Sequence, residues 1–351
     1  MIERKIRVLV VEDSPTAREL LVYAFDSTPD MRVVATAKDG QEALSAVLKA
    51  QPDVVTMDIH MPRMDGLDAT RRIMRESPVP IVIISSTLDS EAAASFRALE
   101  AGALAFVPRP AGPNDPMHRR AITELVQTVR LMSEVKVVRR YTGMTPRAKL
   151  CAGEGLDQTH DIRIIAIGAS TGGPPAILEL INALPKPGIA PILIVQHMAV
   201  GFIESFGGWM KEATGHAVHV AAEGETTLPG HIYIAPDEHH MGIDRQGRLT
   251  LSKAAPEYGL RPAVSYLFRT VRETYGAGAA AVLLSGMGKD GAKELLDLKH
   301  AGSLTFAQNQ DSALVFGMPG EAVKLNAARY VMEPTRIGAM LAAMTERPNH
   351  G

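Results

Sequence analysis

Short apolar runs that alternate with helical segments constrain the fold of this 351-residue chain more than any other feature. The runs are rich in Val and Ile and continuously apolar, which is typical of strands buried on both faces of a parallel sheet. In the first third of the chain we predict strands at Ile6–Val11, Arg32–Ala35, Val54–Met57, Ile81–Ile84 and Ala105–Val107. Helices are predicted at Pro15–Phe25, Gln41–Ala50, Leu67–Arg75, Glu91–Ala101 and Met117–Val138. This alternation predicts a doubly wound parallel sheet.

A second α/β pattern begins at Ile162 and predicts a larger, Rossmann-like domain. Its predicted strands are Ile162–Ile167, Ile192–Val195, Val218–Ala221, Ile232–Ala235, Leu249–Ser252, Ala280–Leu284 and Leu304–Ala307. Its predicted helices are Pro174–Ala183, Ala263–Tyr275, Gly291–Ala301 and Thr335–Thr345. The segment 216–252 has several strands without long helices between them, so we expect an antiparallel portion there.

The two patterns are separated by residues 139–161, which carry scattered charge, Gly, Pro and Thr without sustained periodicity. Such a stretch is typical of a linker. The predicted organisation is therefore a first domain at 1–138, a linker at 139–161 and a second domain at 162–347. The chain length agrees with two domains of roughly 150 residues each.

The charge balance and the N-terminal sequence disfavour several classes of function. With 37 basic and 39 acidic residues the net charge is -2, so no charge excess points to a nucleic acid or an acidic membrane. No apolar run approaches the ~20 residues of a membrane span, and the N-terminus does not resemble a signal peptide. We therefore expect a soluble, cytoplasmic protein without direct membrane insertion. The one cysteine, Cys151, excludes an internal disulfide.

Carboxylates follow two of the strands predicted in the first domain. Glu12 and Asp13 follow the first strand, and Asp58 follows the third. Because ligands bind at the carboxyl ends of parallel strands, we expect these side chains to share one pocket. Close carboxylates repel one another unless a cation holds them, and oxygen ligands of this kind suit Mg²⁺. Acidic residues at strand ends are also commonly just solvated, so the pair Glu12-Asp13 alone is weak evidence.

The segment Met57-Asp58-Ile59-His60-Met61-Pro62-Arg63-Met64-Asp65-Gly66 is more specific. It resembles the response-regulator receiver domain, and the resemblance covers residues 5 to about 138. It implies a flavodoxin-like fold with Asp58 as the phosphoacceptor, and with Glu12 and Asp13 helping to hold Mg²⁺. It also implies Ser85 as the hydroxyl that bonds the phosphoryl group and Phe106 as the switch aromatic.

One residue departs from the receiver pattern. Receivers have a lysine before a proline after the fifth strand, whereas this chain has Arg109 in Pro108-Arg109-Pro110. The guanidinium keeps the positive charge but is a planar fork rather than a compact ammonium. Either Arg109 pairs statically with Asp58 and weakens switching, or the loop tolerates the exchange.

A glycine-rich turn follows the first strand of the second domain, at Gly168-Ala169-Ser170-Thr171-Gly172-Gly173-Pro174. Three interpretations stay open for this motif alone. Glycines before a helix can cradle a phosphate, and Gly-x-Ser-x-Gly is also the spacing of a hydrolase nucleophile elbow. The third is an ordinary turn between a strand and a helix.

Two further strand ends favour the nucleophile. His197 follows the strand Ile192–Val195, and Asp290 lies in the glycine-rich loop after Ala280–Leu284. Serine, histidine and aspartate at one sheet edge supply a nucleophile, a base and an orienting carboxylate. Asp290 is alternatively the N-cap of the following helix, and His197 a structural histidine. The order Ser, His, Asp differs from that of α/β-hydrolases.

Several segments in this order resemble the chemotaxis protein-glutamate methylesterase (CheB) family. They are Ile167–Pro175, Val195–Met198, Pro229–Asp237 with His239-His240, Arg261-Pro262, Val282–Gly291 and Phe316–Pro319. The resemblance implies Ser170 as nucleophile, His197 as base and Asp290 as its orienting partner. It also implies that the backbone N–H of Met287 serves the oxyanion hole and that Thr171 lies in the site.

The same resemblance implies the activity and the partners. The expected substrates are glutamate γ-methyl esters on the cytoplasmic helices of methyl-accepting chemoreceptors, and the family's second activity implies deamidation of receptor glutamines. A histidine kinase of the CheA type would supply the phosphoryl group. The family usually has a proline-containing segment after the catalytic histidine, whereas this chain has Ala199-Val200-Gly201-Phe202. We expect this loop to border the substrate groove.

Three other interpretations are compatible with parts of the sequence. A non-enzymatic signalling adaptor is the main alternative, because the second domain of such a protein would only bind a partner. A DNA-binding regulator is disfavoured because the second domain lacks a helix-turn-helix unit and a basic stripe. A metal site built from His216, His219, His231, His239 and His240 is disfavoured because the region is strand-rich and lacks a metal-binding motif.

Overall fold

The chain forms two compact units, Met1–Met144 and Thr145–Gly351, in the computed structural model. The structure describes residues 4–85, 89–110, 112, 115–116, 118–135, 161–185 and 190–345, without the side chains of 85, 89–93, 95 and 345. The predicted linker 139–161 lies outside these residues except for Asp161, so its bounds stay a prediction. None of the helices in the described ranges combines the length and apolar character needed to cross a bilayer.

The first unit is a five-stranded parallel sheet in the order β2-β1-β3-β4-β5. Its strands are β1 (Ile6–Val11), β2 (Met31–Ala37), β3 (Val54–Asp58), β4 (Ile81–Ser85) and β5 (Ala105–Pro108). Its helices are α1 (Pro15–Asp26), α2 (Gly40–Ala50), α3 (Gly66–Glu76), α4 (Asp89–Glu100) and α5 (His118–Ser133). The predicted fold class is confirmed, and the neighbouring positions of β1 and β3 bring their carboxyl ends together.

Polar caps begin three of these helices next to strand ends. Ser14 precedes Pro15 and accepts a hydrogen bond from the Ala17 N–H at 3.4 Å. Asp39 and Asp65 cap α2 and α3 in the same way, at 2.9 and 2.8 Å. Such caps satisfy backbone donors that have no partner within the helix. They therefore set where the chain turns from each strand into its helix.

The second unit contains a seven-stranded parallel sheet in the order β14-β13-β12-β6-β7-β9-β8. These strands are β6 (Ile164–Ala169), β7 (Ile192–Gln196), β8 (Ala217–Val220), β9 (His231–Ile234), β12 (Ala279–Leu283), β13 (Leu304–Gln308) and β14 (Tyr330–Met332). The helices are α6 (Gly173–Asn182), α7 (Ile203–Thr214), α8 (Val264–Tyr275), α9 (Ala292–His300), α10 (Met318–Lys324) and α11 (Pro334–Thr345). A separate antiparallel hairpin is formed by β10 (His240–Ile243) and β11 (Leu249–Ser252).

The expected antiparallel portion is present as the hairpin of β10 and β11, with an isolated antiparallel bridge between Thr226 and Arg248. The other two strands within 216–252, β8 and β9, join the main sheet in parallel. Sequence patterns indicate strands but not the direction in which they pair, since the pairing depends on the chain crossover at 221–230. The segments α10, β10 and β14 were not predicted, because they are too short for periodicity to reveal.

Helix α7 forms although Gly207 and Gly208 lie inside it. Glycine inside a helix lowers its stability, so the sequence predicts a loosened segment here. The helix packs against β8, and Gly207 is buried near Val220 and Ile234. Tertiary packing therefore overrides the low helix propensity of this segment.

Helix α8 packs on the sheet of the second unit through a fully buried face. Leu267, Phe268 and Val271 are 0% exposed and join the core formed with β6 and β12. This packing fixes the N-terminus of α8, at Val264, against the carboxyl ends of those strands. The helix thereby becomes part of the site described below.

We expect Phe268→Ala to lower the free energy of unfolding of the second unit by about 3–5 kcal/mol, because it leaves a cavity in this core. The chain has a single tryptophan, Trp209, which is buried in the same unit. Urea unfolding followed by its fluorescence measures the change. The exposed Val323→Ala serves as control, and equal midpoints for the two variants would contradict the assignment of Phe268 to the core.

Candidate active site and acidic pocket

Ser170 lies directly after β6, where the chain makes a tight turn into α6. Its N–H donates to the Ser285 carbonyl at 2.9 Å, and its own carbonyl accepts from the Gly173 N–H at 2.8 Å. Gly172 has a φ of 78°, a conformation that favours glycine. A Cβ on Gly173 would stand 2.1 Å from Oε1 of Gln196, so this position has no room for a side chain. The glycines flanking Ser170 are therefore required by the turn itself.

His197 occupies the equivalent position after β7, the strand next to β6. Ala169 pairs with Gln196 in the parallel register, and the His197 N–H donates to the Ala169 carbonyl at 2.9 Å. Adjacent strands lie about 4.8 Å apart, so Ser170 and His197 are neighbours at one sheet edge. The His197 side chain is 8% exposed.

Asp290 faces His197 from the loop after β12. Its Oδ2 lies 3.0 Å from Nε2 of His197 and accepts from the Val264 N–H at 2.7 Å. Its Oδ1 accepts from the Ser265 N–H at 2.9 Å. Burial raises the pKa of this carboxyl, but His197 and the Ser265 hydrogen bonds outweigh it and lower the pKa below its usual value. Asp290 is thus held as an anion beside the histidine.

The helix that Asp290 caps is α8 rather than α9. The interpretation of Asp290 as a simple N-cap of the following helix is wrong, because Gly291 occupies that position and offers no side-chain hydrogen bond. Val264 and Ser265 are the first two residues of α8, so the carboxylate receives donors from a helix distant in sequence. An anion at a helix N-terminus is also stabilised by the helix dipole.

The buried side chains of Ser265 and Glu294 stabilise the position of Asp290. The Ser265 hydroxyl donates to Oε2 of Glu294 at 2.7 Å and accepts from the Gly291 N–H at 3.0 Å. Both side chains are buried. The pair therefore ties the start of α8 to the loop that carries Asp290.

Thr171 directly follows Ser170 in the same turn, and Met287 lies in the neighbouring loop after β12. Met287 is 47% exposed, and its N–H has no hydrogen-bond acceptor among the residues described by the structure. Gly286, just before it, is held by bonds to Val315 and Met318. The Thr171 carbonyl accepts from the Ser285 hydroxyl at 2.7 Å. The loop at Met287 thus offers a free backbone donor close to the Ser170 turn.

Three buried polar residues to which the sequence patterns assign no role, Gln196, Ser285 and Gln308, position these loops. Gln196 donates through Nε2 to the carbonyls of Ser170 and His197 at 2.9 and 2.8 Å. Ser285 accepts from the Val315 N–H at 3.0 Å, and its own N–H donates to Oε1 of Gln308 at 2.7 Å. These three residues lie at or just after the ends of β7, β12 and β13. A polar residue that follows an apolar strand is the sequence feature that could have identified them.

Asp237 anchors the loop in which this chain departs from the family pattern. It follows β9, and its Oδ2 accepts from the Gly201 N–H at 2.8 Å. Burial raises the pKa of Asp237, and the hydrogen bond from Gly201 opposes that shift. The loop 199–202 is therefore fixed to the same edge of the sheet as His197.

The acidic pocket of the first unit forms as the strand order requires. Glu12, Asp13 and Asp58 each offer a carboxylate oxygen, and these oxygens lie within 4.8 Å of one another. Glu12 and Asp58 are buried, and Asp13 is exposed. Burial, followed by repulsion from Asp58, raises the pKa of Glu12 to about 7. Three crowded oxygen ligands fit a hard divalent cation such as Mg²⁺.

Arg109 occupies one side of this pocket. Its guanidinium lies 2.8 Å from Oδ1 of Asp58 and 3.5 Å from Oε2 of Glu12. The ion pair with Asp58, one of the two alternatives that the sequence leaves open, is therefore present. Burial raises the pKa of Asp58, and Arg109 opposes the shift.

Phe106 and Ser85 are the other two residues predicted for the phosphorylation site. Phe106, on β5, packs edge-on against Phe96 of α4, with ring centroids 5.1 Å apart. Ser85 ends β4, but its side chain lies outside the described part of the chain. Their roles stay predictions.

The histidines between 216 and 240 make local contacts. Nε2 of His219 lies 2.9 Å from Nδ1 of His231, and the rings are stacked. His240 is fully buried, and its ring nitrogens bond the Ala255 carbonyl and the Ala263 N–H. Of the described residues, only Glu12, Asp13 and Asp58 form a group that could hold a metal ion.

Two family models match the chain. Residues 165–341 match the CheB methylesterase family, and residues 8–121 match the response regulator receiver domain. The structure of the second unit resembles the crystal structure of the Thermotoga maritima CheB methylesterase catalytic domain. That likeness has a TM-score of 0.51 and 36% identity, and covers 52% of this chain and 98% of that one.

Full-length relatives lead to the same family. A protein-glutamate methylesterase/protein-glutamine glutaminase of Nitrosospira multiformis is 49% identical over 340 residues, covering 96% of each chain. A Syntrophus aciditrophicus protein of the same name is 48% identical, covering 97% of this chain and 98% of that protein. This similarity shows that the chain belongs to the CheB methylesterase family and carries a response regulator receiver domain.

Proposed function

We propose that this chain hydrolyses glutamate γ-methyl esters on chemoreceptors, with Ser170, His197 and Asp290 as its catalytic residues. The observation that carries this proposal is the Asp290 carboxylate 3.0 Å from the His197 ring, beside the Ser170 turn. Similarity to full-length methylesterase/glutaminases supports this function over that of a non-enzymatic adaptor. By the same route the site would release ammonia from receptor glutamines.

Each catalytic residue has a defined task in the proposed reaction. Nε2 of His197 faces Asp290, so in this orientation Nδ1 is the nitrogen that takes the Ser170 proton. Ser170 attacks the ester carbonyl, and the Asp290 anion stabilises the imidazolium that forms. Protonation by His197 lets methanol leave, and water then hydrolyses the γ-glutamyl ester on Ser170.

Charge on the carbonyl oxygen requires its own donors. The N–H of Met287 has no acceptor among the described residues, and Gly286, just before it, packs against Ser170. Thr171 lies between Ser170 and the start of α6. We assign the Met287 N–H to the oxyanion hole. A donor of this kind contributes ~3 kcal/mol of transition-state stabilisation in other hydrolases.

Ser170→Ala is expected to reduce methanol release from methylated receptor membranes to the uncatalysed level, because no nucleophile remains. Phosphorylation of Asp58 should be unaffected, since that residue belongs to the other unit. Gas chromatography measures methanol, and a gel that retards phosphoproteins measures the phosphoryl group. Substantial turnover by the variant would remove Ser170 from its assigned role.

The receiver unit would control this reaction through phosphorylation of Asp58 by a CheA-type histidine kinase. The donor set of Glu12, Asp13 and Asp58 fits Mg²⁺, which would neutralise the phosphoryl charge during transfer. Phe106 and Ser85 would report the phosphorylated state to the rest of the chain. The phosphoryl group would shift the chain toward its active state.

A small acyl phosphate with Mg²⁺ is expected to stimulate methanol release by the full chain. Asp58→Asn should abolish the stimulation but leave the unstimulated rate, because its carboxamide is a poor nucleophile toward phosphorus. Equal stimulation of both proteins would exclude Asp58 as the phosphoacceptor.

Arg109 makes phosphorylation of this receiver different from that of one with lysine. Its guanidinium pairs with both buried carboxylates, Asp58 and Glu12, that the metal and the phosphoryl group need. Guanidinium presents a rigid planar fork, whereas an ammonium is compact and more mobile. We therefore assign to Arg109 a static hold on Asp58 that slows phosphoryl transfer.

Arg109→Lys should raise the rate of Asp58 phosphorylation several-fold at a fixed acyl phosphate concentration, because the compact ammonium releases Asp58 more readily. Arg75→Lys, at an exposed position on α3, is the matched control. The time course of phosphoprotein formation measures the rate. An unchanged or slower rate in the Arg109 variant would contradict the static hold.

A further inference from the structure

A tight turn shortly before α8 contains Tyr258, an aromatic residue with a positive φ angle. Glu257 and Leu260 exchange two backbone hydrogen bonds, of 2.8 and 3.0 Å, so Tyr258 and Gly259 form a two-residue turn. Their φ angles are 51° and 78°. Turns with positive φ at both central residues favour Asn, Asp and Gly. Gly259 meets this requirement, and Tyr258 does not.

Burial in a core does not account for a tyrosine in this conformation. Among the described non-glycine residues with positive φ, Tyr258 is the only aromatic. A bulky side chain in this region is strained, and such strain persists where the surroundings impose it, often at functional sites. The Tyr258 residue is 53% exposed, so burial in a core does not explain its presence.

The Tyr258 ring lies close to the catalytic loop. Nζ of Lys289 stands 5.6 Å from the ring centroid, and Lys289 directly precedes Asp290. Burial and then the charges of Glu294 and Asp290 raise the pKa of the Tyr258 phenol. The ring therefore packs against the side chain next to Asp290, the residue whose carboxylate faces His197.

Two other exposed apolar residues lie on loops that flank the site. Val200, three residues after His197, is 62% exposed, and Met287, three residues before Asp290, is 47% exposed. We call Val200, Tyr258 and Met287 the apolar lip. Exposed aromatic and methionine side chains are enriched where proteins bind other proteins.

We propose that Tyr258 is a substrate-positioning residue, whose exposed ring packs on apolar side chains of the protein segment that carries the ester. Lys289, held over the other face of the ring, then meets carboxylates beside the esterified glutamate. This inference rests on the proposed methylesterase function and specifies its substrate as an apolar protein segment with flanking acidic residues. The lip favours such a segment because it adjoins the catalytic loop and carries an exposed cation.

The test is the full-length variant Tyr258→Asn, assayed for methanol release against the concentration of methylated receptor. Asn suits the left-handed turn, so the melting temperature should equal or exceed that of the wild type. KM for the receptor should rise about tenfold, as for the loss of an aromatic anchor, while kcat stays within about twofold. Tyr258→Phe keeps the ring and should restore the wild-type KM.

Leu228→Asn is the matched control, because Leu228 is also exposed (49%) but precedes β9 at the opposite edge of the sheet. Its KM should equal that of the wild type. An unchanged KM in Tyr258→Asn overturns the inference, as does a lowered melting temperature, which would indicate a structural role. A higher unphosphorylated rate without a change in KM also overturns it, because the ring would then face the receiver unit. Absence of methanol release from the wild type overturns the proposed function and this inference with it.

Discussion

The second unit depends on the buried negative charge of Asp290. An ionised carboxylate loses several kcal/mol of hydration energy when it is buried, unless partners replace the water. Here the partners are the first two N–H groups of α8 and the His197 ring. The requirement to satisfy one charge thus holds the catalytic loop, a distant helix and the candidate base in a common geometry.

The loops at the neighbouring strand ends also contain buried polar groups that need hydrogen-bond partners. These loops bring carbonyl and N–H groups into a region with little water, and each needs a partner. Gln196 and Ser285 supply those partners around Ser170, so the turn is held by side chains from the ends of β7 and β12, the two strands on either side of β6. A nucleophile held in this way needs little reorganisation when it reacts, which is how preorganised sites lower barriers.

In the first unit, an arginine rather than a helix N-terminus balances the buried carboxylates. The strand ends of this unit gather carboxylates, and burial followed by repulsion from Asp58 raises the pKa of Glu12 to about 7. Arg109 supplies a permanent counter-charge where a divalent cation and a phosphoryl group would act. The side chain that stabilises the resting pocket therefore competes with the chemistry proposed for it.

Much of this arrangement follows from sequence, since apolar runs and polar strand ends are local patterns. They determined the α/β class, the positions of most strands and helices, and the candidates Ser170, His197, Asp290 and Asp58. The tertiary structure alone decided the direction of β8 and β9, the contact of Asp290 with α8, the support from Gln196 and Ser285, and the strained turn at Tyr258. The physical reason is that hydrogen-bond partners and backbone dihedral angles arise from segments distant in the chain, whose approach no local pattern records.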